Sequence, residues 1–372
     1  MLKYRFLFVL IVASLQGGLF AQTARKYSNE FLAIGVGARG LGMSGAYTSA
    51  VSDATAGYWN PAGLTGITSK FQGALMHTEY FAGIGKYDFG ALATRLDPKS
   101  VLAVSVMRFG IDDIPDTSEL IDANGNINYD RIKSFSAADY AFLFSYARQL
   151  KKEGLSVGAN AKIIHRKVGD FAKAWGFGLD AGVQYNPGKW KFSAMARDIT
   201  STFNAWSYNL SQSQRDALTS TGNEIPENAL EITLPTLTLG TARKFELGKK
   251  FTLLTELDLQ TTFDGMRNTI IRDKTFSMTP VFGLEAGYKN IVFLRGGIGN
   301  IQNIQNDENT GRITTIQPNI GLGLRIKGIY IDYALTDVGD MSTSLYSNVF
   351  SLRFDINAAD KAATPSTTNP TK

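Results

Sequence analysis

Residues 175–185 read Trp-Gly-Phe-Gly-Leu-Asp-Ala-Gly-Val-Gln-Tyr. In an extended chain Trp175, Phe177, Leu179, Ala181, Val183 and Tyr185 share one face, and Gly176, Gly178, Asp180, Gly182 and Gln184 the other. The period is two, so the segment is a strand lying between two different environments. Residues 251–260 repeat the pattern, with Phe251, Leu253, Thr255, Leu257 and Leu259 opposite Thr252, Leu254, Glu256, Asp258 and Gln260. Tyr140, Phe142, Phe144 and Tyr146 do so again, opposite Ala141, Leu143, Ser145 and Ala147.

Working outward from these, fourteen such segments fall at 69–80, 86–96, 101–111, 135–148, 154–166, 175–185, 190–199, 231–243, 250–260, 279–289, 291–299, 316–327, 329–336 and 349–356. Their connections alternate in length. Short ones are Asp97 to Ser100, Gln149 to Glu153, Asn186 to Lys189, Lys244 to Lys249, Lys289-Asn290 and Lys327-Gly328, and between them come 112–134, 167–174, 200–230, 261–278, 300–315 and 337–348. An up-and-down antiparallel barrel in an outer membrane produces this alternation, with short turns at the periplasmic rim and long loops outside.

Periodicity alone does not say whether the apolar face points in or out, so a soluble barrel is the alternative. Three features favour lipid. An eleven-residue strand tilted by about 40° spans roughly 25 Å, the height of the apolar band. Trp175 and Tyr185 stand at the two ends of one strand, where aromatic girdles lie. Lysines crowd the turns, while the less apolar strand face is largely Gly, Ala, Ser and Thr, far less charged than a soluble exterior. The expectation is an all-β protein, a 14-stranded antiparallel transmembrane β-barrel over residues 67–356.

Composition bounds the rest. The 372 residues include 38 Lys+Arg, 33 Asp+Glu, two His and no Cys. A disulfide scaffold, a Cys-ligated metal site and a thiol catalyst are therefore excluded. Lys3 and Arg5 precede the apolar run Phe6 to Val12, and Leu19-Phe20-Ala21 offers a cleavage site, so residues 1–21 read as a signal peptide. Removing them leaves 36 − 33 = +3, too small an excess to point to nucleic acid. No Cys near the cleavage site offers a lipid anchor, and no later run of about 18 apolar residues offers a membrane helix.

Residues 31–66 precede the first strand and read FLAIGVGARGLGMSGAYTSAVSDATAGYWNPAGLTG. Gly35 to Gly40 satisfies G-x-G-x-x-G, yet no βαβ unit surrounds it, so the motif is not a dinucleotide site. Its glycines instead suit tight turns and close backbone approach inside a barrel. About 36 residues are too few for a core of their own.

This segment resembles the N-terminus of FadL-like outer-membrane proteins, and more closely that of the PorV/PorQ family. The residues that carry the resemblance are Gly37 to Ala46 (GARGLGMSGA), Asp53-Ala54 and Trp59 to Leu64 (WNPAGL). Asp112 to Pro115, Leu294 to Gly297, Asp332 to Leu335 and Phe350 to Phe354 add to it, so nearly the whole mature chain is covered. The resemblance implies a barrel whose N-terminal segment, residues 22–66 with Arg39, Asn60 and Pro61, plugs the lumen. It also implies a Gram-negative, Bacteroidetes-like outer membrane and a role in type IX secretion. The partners would be outer-membrane lipid and the translocon barrel, cargo C-terminal signal domains or attachment-complex proteins. Residues 357–372 extend past the last strand with the composition of a flexible periplasmic tail.

No catalytic or metal constellation emerges, and no cofactor is expected. His77 and His165 sit in separate strands without metal-ligand spacing. Asp122-Ala123-Asn124-Gly125-Asn126 has some of a calcium loop but lacks its closing glutamate, so it reads as a turn. Lys162, Asp180, Arg197, Glu256, Asp258 and Arg295 fall on the less apolar strand faces, as do Glu285, Asp332 and Arg353, and read as a polar network in the lumen. Loop 200–230 carries Phe203, Trp206 and Tyr208 and a helical stretch from Ser211 to Leu218. Aromatics at a rim are either membrane-interface anchors or partner contacts. Two functions stand: a non-enzymatic type IX component that binds partners through these loops, or a FadL-like transporter of hydrophobic small molecules. A transporter needs an apolar path past the plug. The small, polar faces assigned to the lumen favour the secretion component.

Overall fold

The computed structural model describes residues 28–121, 125–305, 311–337 and 347–356. The signal peptide, residues 22–27 of the plug, Asp122 to Asn124 and the 357–372 tail lie outside the described residues.

Seventeen strand segments form one closed antiparallel sheet: β1 (Phe71–Tyr80), β2 (Gly85–Asp97), β3 (Ser100–Asp116), β4 (Lys133–Gln149), β5 (Leu155–Val168), β6 (Ala172–Tyr185), β7 (Trp190–Arg197), β8 (Thr202–Tyr208), β9 (Leu230–Thr233), β10 (Thr236–Leu247), β11 (Phe251–Thr262), β12 (Ile271–Arg272), β13 (Ser277–Tyr288), β14 (Val292–Gln305), β15 (Arg312–Ile326), β16 (Ile329–Thr336) and β17 (Ser347–Ile356). Closure comes from β1, which pairs with both β2 and β17. The wall has fourteen strands. β7 and β8 both pair with β6 and are halves of one strand, β9 and β10 are halves of the next, and β12 is a short addition to β13.

The break has a local cause. Asp198 and Ser201 have φ of 54° and 57°, and the Ser201 amide donates to the Asp198 carbonyl at 2.8 Å, so Asp198–Ser201 is a turn inserted into a strand. Opposite it, Pro235 has no amide to offer a ladder. Pairing stops at Arg197–Thr236 and resumes at Thr202–Thr233.

Three expectations change. The segment 200–230 is not all loop, because Thr202–Tyr208 and Leu230–Thr233 are wall. β3 and β4 run past their expected ends to Asp116 and from Lys133. The alternation of loop lengths fails at the β1–β2 connection, a four-residue turn on the long-loop rim. Phe81 and Ala82 both have φ of 56° there, and Phe81 and Ile84 are exposed.

The period-two reading of β6 separates two faces: Trp175, Phe177 and Val183 are exposed on the outside, and Asp180 and Gln184 are buried on the inside. Within the barrel lie a turn of 3-10 helix (Glu30–Leu32), α1 (Ala38–Gly42), α2 (Ala56–Trp59) and a 3-10 helix (Pro61–Gly66). α1 packs on β14 to β17, and Pro61–Gly66 on β3 to β6. Pro61 occupies the first helical position, where a missing amide costs nothing, and the Asn60 side chain caps it by accepting from the Ala62 amide.

Candidate functional site: the plugged lumen

The plug meets the two halves of the wall through different chemistry. On the β11–β17 side the contacts are ionic. Arg39 donates to both oxygens of Glu285 at 2.7 Å. Arg295 donates to Glu285 and to Asp332, each at 2.7 Å. Arg353 pairs with Asp53, which also accepts from the Tyr47 hydroxyl at 2.9 Å and from the Thr55 amide at 3.0 Å. Planar guanidinium forks on carboxylates give short, directional bonds of this kind.

Two further acids hold plug backbone. Glu256 accepts from the Ser49 amide at 2.6 Å and the Ala50 amide at 3.1 Å. Asp258, one pleat away, accepts from the Tyr47 and Thr48 amides, both at 3.1 Å. The pair that sequence placed on one strand face is thus a receptacle for four successive amides. Asn60 donates to the Thr48 carbonyl at 3.2 Å and to the Val183 carbonyl at 3.1 Å, tying plug to β6. Gly158 gives Pro61 its seat, since a Cβ there would stand 2.5 Å from the Pro61 backbone.

The sequence-derived lumen residues all face inward, but as separate groups. Lys162 bridges Asp180 at 2.9 Å and Asp198 at 2.5 Å, bracing the wall where β7 breaks from β8. Arg197 donates to the Tyr58 carbonyl at 3.1 Å and lies over the Tyr58 ring. Glu256 with Asp258, and Arg295 with Glu285 and Asp332, are the other two.

On the β1–β4 side the contact is mainly apolar, with two plug amides donating to β1, Ala54 to Gln72 Oε1 at 2.7 Å and Gly37 to the Met76 sulfur at 2.9 Å. Met76, Tyr87, Phe89, Val101, Met107 and Leu143 are buried against Phe31, Val36, Leu41, Tyr58 and Trp59 of the plug. Trp59 packs edge-on to Tyr58 at 5.0 Å and donates to the Val36 carbonyl at 2.9 Å. Among the described residues no ion pair joins the plug to β1–β4. The Tyr87, Ser105 and Ser145 hydroxyls on this wall are buried with no hydrogen-bond partner among the described residues. The expectation of a small, polar lumen face is therefore corrected: it holds for β6 and β11 and fails for β1 to β3, which carry large apolar residues on both faces.

The aromatics read as a rim-loop site are placed on a wall strand rather than in a loop. Phe203, Trp206 and Tyr208 lie on β8 and do not share a face. Phe203 points outward and is 42% exposed. Trp206 and Tyr208 alternate to the inner side and stack on each other at 6.1 Å, with Arg166 over the Trp206 ring. The helix read from Ser211 to Leu218 is α3 (Gln212–Ser220), opened by a capping box between Ser211 and Gln214 and fully outside the core.

The closed fourteen-strand wall with its internal N-terminal segment is the FadL-like outer-membrane barrel fold. A solved structure described as the CymD monoaromatic hydrocarbon channel matches with a TM-score of 0.52 at 15% identity, over 87% of this chain and 98% of that one. The Ralstonia pickettii toluene transporter TbuX matches with a TM-score of 0.52 at 14% identity, over 87% and 99%. A Pseudomonas aeruginosa FadL homologue gives 0.52 at 11% identity, over 86% and 98%. At such identities the likeness carries the fold alone. No family model and no curated protein matches the chain. The matched structures give no support to the PorV/PorQ or type IX part of the expectation.

Proposed function

We propose that this barrel passes hydrophobic small molecules across the outer membrane of a Gram-negative cell, without catalysis, along the contact between the plug and β1–β4. The observation that carries this reading is the apolar character of that contact. A solute such as toluene loses its water shell once on entering and then exchanges apolar neighbours for apolar neighbours, whereas the β11–β17 side would force it past desolvated ions. The FadL-like fold supports the reading, as do the hydrocarbons named for CymD and TbuX. The type IX role, with its translocon, cargo or attachment partners, rests on sequence resemblance. The aromatic patch offered for docking divides between two faces of β8.

Uptake tests this directly. Cells carrying the protein should take up radiolabelled toluene faster than cells lacking it, with no gain for a disaccharide. Equal toluene uptake, together with loss of secreted proteins on deletion, would replace this reading with the secretion component.

A further inference from the structure

Below the plug, at the short-turn end of the barrel, lies a cavity of about 370 Å³ bounded by the plug, the lower strands and Asn290 of the β13–β14 turn. That volume is in the range of small-molecule sites. Its charges do not balance. Six cationic side chains line it, Arg39, Lys191, Lys244, Arg295, Arg325 and Arg353, against three carboxylates, Asp53, Glu285 and Asp355.

The carboxylates are already engaged. Glu285 takes Arg39 and Arg295, and Asp53 takes Arg353. Asp355 accepts from Gln72 at 2.5 Å and from Ser69 at 3.2 Å. Lys191, Lys244 and Arg325 make no ion pair among the described residues, and Glu256 and Glu285 act on Lys191 only from beyond pairing distance. Lys191 pairs in register with Ala242 on the adjacent strand, one pleat from Lys244, so the two ammonium groups enter from neighbouring strands. Arg325 and Arg353 both lie over the Tyr330 ring, at 4.9 and 3.7 Å. Like charges gathered in a partly enclosed site repel one another and create a strong positive potential.

We propose that this vestibule binds a compact anion carrying two or more negative charges, of phosphate or dicarboxylate chemistry, held by Lys191, Lys244 and Arg325 beneath Arg39. Three uncompensated cations ask for more than one negative charge. Arg39 belongs to the plug and the others to the wall, so a bound anion also braces the plug from below. The inference stands independently of the transport reading.

The test is calorimetric titration of the full-length protein in detergent with inorganic phosphate, succinate and acetate at matched ionic strength. Phosphate or succinate should bind saturably, at least tenfold more tightly than acetate. The Lys191→Gln/Lys244→Gln double variant should lose tenfold or more, and Arg325→Gln, at an exposed strand end, should weaken binding in a form that keeps both lysines. Ligand should raise the unfolding temperature of the wild type and not of the double variant. No saturable binding, acetate binding as tightly as succinate, or unchanged affinity in folded variants would each overturn the proposal. Toluene uptake by the double variant is read separately, so a failure here does not carry over to the transport reading.

Discussion

On the β11–β17 side the plug is held by guanidinium–carboxylate forks and by four amides on Glu256 and Asp258. On the β1–β4 side it rests on Met76, Tyr87, Phe89 and Met107. The first kind of contact is directional and loses most of its value if a partner moves by an ångström. The second is non-directional, and a displaced apolar neighbour is replaced at little cost by another apolar group. A plug anchored on one flank and merely packed on the other can admit an apolar solute without being expelled. The ionic flank sets where the plug sits, and under the transport reading the apolar flank sets what passes it.

The largest effect should follow from removing both flanks together. Deleting residues 31–66 should convert a closed barrel into a conducting pore in planar bilayers, because the sheet closes on itself through β1 and β17 without help from the plug. Unchanged, negligible conductance would mean that the lumen is filled by something else.

Next in size is the ionic flank. Glu285→Ala leaves half-buried Arg39 and buried Arg295 without the acid they share, with only Asp332 still on Arg295. The cost should be about 3–5 kcal/mol in denaturant unfolding from vesicles, with Glu285→Gln milder. The apolar flank should be more forgiving. Met107→Ala removes a side chain that is fully buried, yet the plug can settle into the gap, so about 2 kcal/mol is expected, at the low end for such truncations. Toluene uptake should rise in Met107→Ala and fall in Met107→Trp. If Met107→Ala destabilises as much as Glu285→Ala and leaves uptake unchanged, the distinction between the flanks is wrong.

Much of this architecture was legible because a lipid-facing wall must alternate. Trp175 to Tyr185 declares both faces of β6, and the short turns mark one rim. The inner residues of β11 were equally plain, since a glutamate and an aspartate two apart need something to hold. What stayed hidden had physical reasons. Thr202 to Tyr208 is flanked by a polar turn and puts Thr, Asn, Trp and Tyr on its inner face, so nothing separated it from a loop. In β3 the inner Val101 and Met107 are as apolar as the outer Leu102 and Val106, which leaves no period to read, and in β2 the period is present at Lys86-Tyr87-Asp88-Phe89 but its apolar face points inward. That is why the apolar flank stayed hidden, and why the sequence weighed the transporter below the secretion component. The charge excess of the vestibule needed the fold, because Lys191, Lys244, Arg325 and Arg353 come from four strands far apart in the chain.

The smallest effect concerns β8, where sequence placed a docking patch. Phe203 faces outward on a wall strand paired to Phe177 and Ile232. Replacing it with Ser exchanges one lipid-facing aromatic for a small polar group while the ladder hydrogen bonds remain, so the cost should be about 1 kcal/mol or less. Trp206→Ser differs in kind. It removes the ring beneath Arg166, whose guanidinium still holds Asp139 at 2.8 Å and Glu231 at 3.3 Å, so the mouth should loosen locally without loss of the barrel. Neither single change should alter the proteins recovered with the barrel from native membranes, because no outward aromatic patch exists for both to serve. Joint loss of a co-purified protein in both variants, with the barrel still folded, would restore β8 as a docking strand and reopen the secretion reading. A Phe203→Ser cost above that of Met107→Ala would mean instead that the outer face of β8 is packed against something other than lipid.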